Sequence, residues 1–533
     1  MERRTLLTAT AAALTGAAVA ACTGTDGSAT AQSATPRSTT PHNTPPPGST
    51  TPKPGHAAKR PADWTALARG LDGKLVRPAD AAYRTARQLY NTRYDDLKPA
   101  AVAYVAHPDD IAECLAFARA HGTPVSIRNG GHSYAGWSSG NGRLVVDVSS
   151  LATVKRGTAT ASVGAGAKLI DVYSALARGR VTIPAGSCPT VGVSGLALGG
   201  GHGVAARAYG LTCDSLTAAE IVTADGKRLT ASAREHPDLF WALRGAGNGN
   251  FGVVTRLDFR THPAPSAVSA YLTWPWRKAT AVLAAWQKWG PAQPDEIWSS
   301  LHLAAGAGGG GPTVSVAAFS LGTYGDLQNA VDRLADGPGG PGPASHVSLR
   351  RRGYQEAMLV YAGCSTFSQA QCHLPGPTPG RTPQGVLQRE TYAAASDFYA
   401  AALPGAGIAR MLARVEAFTR LPSGGGSIAL TALGGAVNRV DPLATAFVHR
   451  RARMLAQYIG SWRPGTSGAP QRQWLKDTHA ALRPYASGAA YQNYTDPTLT
   501  DWRKAYYGPA ADRLARIKRR YDPDRLFDFP QAI

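Results

Sequence analysis

The tightest constraint on this chain is a set of three glycine-rich stretches: "RNGGH" at 128–132, "GSCPTVGVSGLALGGGHG" at 186–203 and "RGAGNGNFG" at 244–252. Glycine lets a backbone approach a ligand closely and turn its N–H groups toward it, which suits an anionic pyrophosphate. Neither common nucleotide fingerprint is present: there is no GxxxxGK[ST], and no GxGxxG opens a helix after a first strand. The expected ligand is a large phosphate-bearing cofactor held in another way. The first two stretches each carry one nucleophilic side chain, His132 and Cys188. An isolated turn histidine is ordinarily a satisfied polar group, and an isolated cysteine is ordinarily inert core. Together in one domain they read as covalent attachment points.

Hydrophobic periodicity alternates strand and helix around these loops. "AAVAYVA", a helix over "DDIAECLAFARAHG" and "PVSIR" form an expected β-α-β unit whose second strand delivers the first loop. "LVVDVSSL" and "ATASVGAGAKLIDVYSALARG" continue the alternation, and Asp225-Gly226 marks a hairpin turn. "LFWALRGAGNGNFGVVTRLDFRTH" reads as a helix turn, a glycine loop and a strand. After about residue 265 longer helices and strands suggest a second domain. A closing helix is expected from about Asp501 to Tyr521.

The 533 residues are 44% hydrophobic and 17% charged, a folded multi-domain composition. The formal charge of +21 is scattered rather than gathered into basic runs interleaved with aromatics, so nucleic acid is not an expected partner. No segment beyond the amino terminus is long and apolar enough to span a bilayer, and no metal site is expected.

Residues 1–22 read as an export signal, with the Arg3-Arg4 pair pointing to the twin-arginine route. "VAAC" at 19–22 resembles a lipoprotein box that would acylate Cys22; ordinary cleavage after small residues is the alternative. The Ser/Thr/Pro-rich stretch 23–60 cannot bury a core and reads as a tether. The expectation is therefore an exported or surface-anchored protein whose only membrane contact is that lipid. Export permits a disulfide between Cys364 and Cys372, with two free buried thiols as the alternative. Cys114 and Cys213 read as core.

The ordered motifs "RNGGHSYAG", "GSCPTVGVSGLALGGGHGVAARAYGLTCDSL", "FWALRGAGNGNFGVVT", "AFVHR" and "YQNYTD…YYG…RL…IK…YDP" resemble the berberine bridge enzyme-like FAD-linked oxidases over roughly residues 75–533. The resemblance implies an α+β fold: a two-part PCMH-type (vanillyl-alcohol-oxidase) FAD-binding domain and a separate substrate domain with an antiparallel sheet covered by helices. The expected spans are 61–264 for the flavin domain, 265–484 for the substrate domain and 485–533 for a segment returning to the flavin domain.

It further implies FAD joined through its 8-methyl to His132 and through ring carbon 6 to Cys188. Arg128, Asn129, Gly130, Gly131 and Ser133 would cradle the pyrophosphate, with Val191, Gly192, Gly195, Gly249, Asn250, Gly252, Val254 and Asn493 touching the rest. Tyr494 would be the base, with Tyr491 and Gln457 as further catalytic residues, Gln457 facing the flavin, and His202 at the substrate. Val191, at the family's gate position, is small enough to admit dioxygen, whereas Leu196 replaces a histidine that many plant members carry. A phenol titrates near 10, so Tyr494 needs a neighbour that stabilises phenolate, and the sequence names none. As a strand, "YQNYTD" would send Tyr491 and Tyr494 to opposite faces. The expected reaction is oxidation of an alcohol, a sugar or a natural-product hydroxyl, with dioxygen reduced to hydrogen peroxide. A dehydrogenase with a quinone or protein acceptor and a non-catalytic surface flavoprotein are the alternatives.

Overall fold

The computed structural model describes residues 62–308 and 311–533. The expected signal, tether and lipidated Cys22 lie outside the described residues. Among those described, no helix is long and apolar enough to cross a membrane.

The first sheet contains β1 (Lys74–Val76), β2 (Ala101–Tyr104), β3 (Val125–Arg128) and β4 (Leu144–Asp147), in the order β1-β2-β4-β3. Helix α1 (Pro108–His121) connects β2 to β3. Pro108 sits in its first turn where no N–H is needed, Asp109 and Asp110 face the positive end of its dipole, and Gly122 ends it at φ +63°. The expected β-α-β unit is present, but β4 lies between its strands and runs parallel to both. That insertion sets the ends of β3 and β4 side by side, with Arg128 in register with Asp147.

The second sheet is antiparallel: β5 (Val154–Arg156), β6 (Thr160–Gly164), β7 (Leu216–Val222), β8 (Arg228–Ser232) and β9 (Val253–Arg260), ordered β5-β6-β9-β7-β8. The β7–β8 hairpin turns at Asp225-Gly226, where Gly226 takes φ +84°. Helices α2 (Leu169–Ala177) and α3 (Val193–Leu198) lie in the β6–β7 connection, α2 before the second glycine-rich stretch and α3 within it.

The third sheet is a seven-stranded antiparallel layer: β10 (Ala267–Trp274), β11 (Ile297–Gly306), β12 (Thr313–Ser320), β13 (His346–Arg352), β14 (Tyr392–Tyr399), β15 (Gly425–Ala432) and β16 (Met454–Ser461). Its order is β13-β10-β12-β11-β15-β16-β14. One face packs on α4 (Ala279–Trp289), α5 (Tyr324–Asp336), α6 (Gly405–Phe418) and α7 (Ala469–Leu482). Strand periodicity of two decides which side chains go there: Leu301 and Leu303 of β11 join that core, while Trp298, Ser300 and His302 face a cavity.

The single closing helix expected from the sequence is two helices, α8 (Trp502–Tyr507) and α9 (Ala511–Tyr521). Gly508 at φ +43° followed by Pro509 interrupts the ladder. Leu514 and Ile517 of α9, with Phe527 and Ile533, join the core of the first two sheets, so the carboxyl terminus packs back on the glycine loops. Cys364 and Cys372 are joined by a disulfide, and Cys114 and Cys213 are buried in cores.

Candidate active site

Arg128 ends β3 and is held by Asp147 beside it, both side chains almost fully buried. Asn129 then turns inward; its Oδ1 accepts from the buried Lys168 Nζ at 2.5 Å and its Nδ2 donates to Ser194 Oγ at 3.2 Å. At Gly130 the first two glycine loops touch backbone to backbone. A Cβ there would lie 2.5 Å from Thr190 O and 2.6 Å from Gly192 N, contacts that backbone atoms cannot relieve.

His132 stacks on Tyr90 with ring centroids 3.9 Å apart, and its Nε2 lies 2.8 Å from Thr190 Oγ1. Burial first, and the charge of Lys168 second, push its pKa down to about 3. The imidazole is therefore neutral at physiological pH and keeps a lone pair. Cys188 lines the same cavity from the second loop.

The third loop needs glycine at 245, where φ is +134° and a Cβ would stand 2.2 Å from Phe447 N. Asn250 then fastens the carboxyl terminus: its carbonyl accepts from Lys518 Nζ at 2.7 Å, and its Oδ1 accepts from Ile533 N at 3.1 Å.

The segment "YQNYTD" is a 3-10 turn over Gln492–Tyr494, not a strand. Tyr494 N donates to Tyr491 O at 2.8 Å, and Gln492 anchors its amide on Gly245 O at 2.5 Å, so these two bonds set the turn and its place. The turn sends Tyr491 and Tyr494 to the same side, ring centroids 5.0 Å apart. Tyr491 is a brace: its hydroxyl accepts from Gly201 N and from Asn493 Nδ2, each at 2.9 Å. The same Asn493 Nδ2 donates to the carbonyl of Leu196, which is the contact that position makes here.

The hydroxyl of Tyr494 lies 2.8 Å from His202 Nε2, the neighbour that sequence reasoning could not supply. Burial holds His202 down to about 4 and pushes Tyr494 up, so both are neutral at physiological pH and the imidazole can accept a hydrogen bond from the phenol. Tyr134 stacks on Tyr494 at 5.2 Å, and its own hydroxyl accepts from Gln457 Nε2 at 2.6 Å. No motif assigns Tyr134 a role, although it stands two residues after His132.

These groups share one cavity of about 410 Å³ running from the glycine loops to the open face of the third sheet. Every residue that the motifs assigned to flavin, base or substrate lines it, from Arg128 through Cys188, His202, Asn250 and Gln457 to Tyr494. The far wall adds Trp298, Ser300, His302 and Thr431, which the motifs did not indicate. Alternation along β11 was the available signal for the first three.

The cradle fits a flavin dinucleotide. A Cβ built on Gly195 meets nothing within 4 Å, so that glycine borders open space in the cavity wall. Buried polar atoms without a protein partner also border the cavity, among them His202 Nδ1, Asn248 Oδ1 and Gln531 Oε1.

Comparison with known proteins agrees. The family described as FAD binding domain matches residues 99–232, and the family described as Berberine and berberine like matches residues 490–533. An uncharacterized FAD-linked oxidoreductase, YgaK of Bacillus subtilis (strain 168), is 32% identical over 476 residues, covering 87% of this chain and 97% of that protein. The xylooligosaccharide oxidase of Thermothelomyces thermophilus is 31% identical over 461 residues, covering 82% of this chain and 87% of that protein. The solved structure of Physcomitrella patens BBE-like 1 superposes with a TM-score of 0.78 at 30% identity, covering 88% of this chain and 98% of that one. The chain is thus an FAD-linked oxidoreductase and belongs to the berberine bridge enzyme-like family, with a PCMH-type FAD-binding domain and a separate substrate domain.

Proposed function

We propose that the protein is an oxidase that converts an alcohol group of a sugar or natural product to a carbonyl, with FAD held covalently by His132 and Cys188. The observation that carries this reading is the Tyr494–His202 hydrogen bond at the junction of the glycine loops and the sheet face. FAD, when bound in this cradle, would supply the hydride acceptor and the route by which electrons reach dioxygen to give hydrogen peroxide.

The chain's own part is positioning and proton handling. Because burial disfavours both a phenolate and an imidazolium here, the substrate hydroxyl proton leaves in concert with hydride loss from the carbon, Tyr494 taking it as its own proton passes to His202 Nε2. Tyr134, stacked on Tyr494 and held by Gln457, fixes the ring plane. Val191 lines the cavity, and a side chain of its size would admit dioxygen. Two tethers would suit an exported enzyme that cannot reload its cofactor, which is the compartment we propose from the amino-terminal leader. Two similar proteins support the substrate class, being named chitooligosaccharide oxidase and xylooligosaccharide oxidase.

The test is anaerobic mixing of the purified flavoprotein with a panel of sugars and alcohols, followed by admission of air. Bleaching of the flavin absorbance and one hydrogen peroxide per product are expected. Bleaching without peroxide would make the protein a dehydrogenase, and no bleaching by any alcohol would overturn the enzymatic reading.

A further inference from the structure

Residues 389–392 are sewn to residues 89–95 in a seam that adjoins the first glycine loop. Arg389 donates to Leu89 O at 2.8 Å and pairs with Asp95, Thr92 N donates to Glu390 O at 2.8 Å, and Asn91 Nδ2 donates to Tyr392 O at 2.9 Å. Tyr90 N in turn donates to Gly131 O at 3.0 Å, and its ring is the one stacked on His132. From the other strand of the seam, the Tyr392 ring stands edge-on to Tyr134, with centroids 5.3 Å apart at 80°, and Tyr134 is the ring stacked on Tyr494. Two aromatic arms therefore leave this seam, one toward His132 and one toward the base.

Glu390 is the carboxyl shared by both arms. Burial raises Tyr90, Tyr392 and Tyr134, and the charge of Glu390 adds to the rise of all three. Burial also pushes Glu390 itself up to about 7, and the Tyr90 hydroxyl works against that by favouring the carboxylate. Oε1 is buried with no hydrogen-bond partner among the described residues, so the ionised form is poorly compensated. The guanidinium of the adjacent Arg389 is spent on Asp95 and on Leu89 O. Tyr94, on the same segment as Asp95, gives its hydroxyl to the Tyr134 carbonyl at 2.7 Å. Lys168, the other charge that His132 feels, is held by Asn129, Ser149 and the Gly166 carbonyl. Neither Glu390 nor Tyr90 lines the main cavity, whereas His132, Tyr134, Tyr392 and Tyr494 do.

We infer that Glu390 is a positioning residue for the flavin: from outside the cavity it holds the Tyr90 ring against His132, and its ionisation is carried to the cofactor through Tyr90 and Tyr392. The inference rests on the placement of the flavin against His132 in the reading above, and needs neither a covalent link nor an alcohol substrate. A carboxylate formed here adds a buried negative charge close to a ring system whose electronics respond to nearby charge.

Visible absorbance of the flavin-loaded protein, recorded from about two pH units below neutrality to two above, reads this directly. The wild-type flavin band should shift reversibly in one transition near 7, with the carboxylic acid on the acid side and the carboxylate on the alkaline side. Glu390→Gln should abolish that transition, and Glu390→Asp should restore one. Tyr90→Phe keeps the stacked ring but removes the hydroxyl that favours the carboxylate, so its transition should move to higher pH. This variant keeps the test open if those at 390 do not fold. A wild-type band that does not move, the same transition in Glu390→Gln, or an unmoved transition in Tyr90→Phe would overturn the inference.

Failure of the two readings separates cleanly. If no alcohol bleaches the flavin, the oxidase reading fails and the titration still decides the role of Glu390. If acid precipitation strips all of the flavin, the covalent reading fails, and the titration of the bound flavin decides as before. Where the link is present, peptide mapping gives a second readout. Tyr90→Leu should lower the share of flavin joined to His132 while the link to Cys188 stays, and an unchanged share would overturn positioning through Tyr90.

Discussion

His202 Nε2 and the Tyr494 hydroxyl are 2.8 Å apart, and the two residues come from different parts of the fold: the second glycine loop and the returning carboxyl-terminal segment. A proton acceptor is thus assembled only when both pack together. Because burial keeps His202 at about 4, its lone pair is available above that pH and is lost as pH falls through it. Tyr494→Phe should lower kcat/KM by about 10²–10⁴ with flavin content unchanged. In the wild type the acid limb of kcat/KM should lie near pH 4, and in His202→Gln that limb should vanish along with most of the rate. An acid limb near 6.5 in the wild type would contradict this assignment.

The glycine loops separate fold from cofactor. Gly130→Ala forces a Cβ onto the backbone at Thr190 and Gly192, so both thermal stability and the flavin-to-protein ratio should fall. Gly195→Val points into open space, so circular dichroism and Tm of the flavin-free protein should match the wild type while flavin loading drops. Absorbance of the flavin against protein concentration checks both.

Arg450 and Asp214 tie the substrate domain to the flavin domain through two hydrogen bonds of 2.8 and 2.6 Å, with the guanidinium fully buried. Removing one partner of a buried pair leaves a charge without compensation, typically about 3–5 kcal/mol. Asp214→Asn should show a loss of that order in denaturant unfolding.

His373 Nε2 meets Asp171 Oδ2 at 3.1 Å between the disulfide-bearing segment and α2. Burial alone would lower the histidine, but Asp171 outweighs it and holds it above 6.5; burial would raise Asp171, but His373 and Gln369 hold it below 3.8. The histidine's contribution is complete below pH 6.5 and is lost as pH rises through its raised value. The aspartate's contribution is complete above 3.8 and is lost as pH falls through its depressed value. The Tm difference between wild type and His373→Gln should therefore be largest between about pH 4 and 6.5 and shrink toward pH 8.

The local elements around the glycine loops were legible because each has a local cause: period-two strands, Pro108 and Gly122 bounding α1, and the Asp225-Gly226 turn. The insertion of β4 between β2 and β3 was not, since pairing order has no local signature. "YQNYTD" misled because its placement is set by bonds to Gly245 and Gly201, residues some 250 and 290 positions away. For the same reason the partner of Tyr494 was invisible. Tyr90, stacked on His132, and Trp298, on the far wall of the cavity, became visible only with the tertiary fold.

The proposed attachment of one flavin to both His132 and Cys188, which line one cavity, fixes the mass of the protein. Intact mass of the mature wild-type protein under denaturing conditions should exceed the polypeptide mass by one FAD. His132→Ala and Cys188→Ala should each retain that added mass, and the double variant should lose it. A wild-type mass equal to the bare polypeptide, with the yellow colour left in solution after acid precipitation, would contradict it.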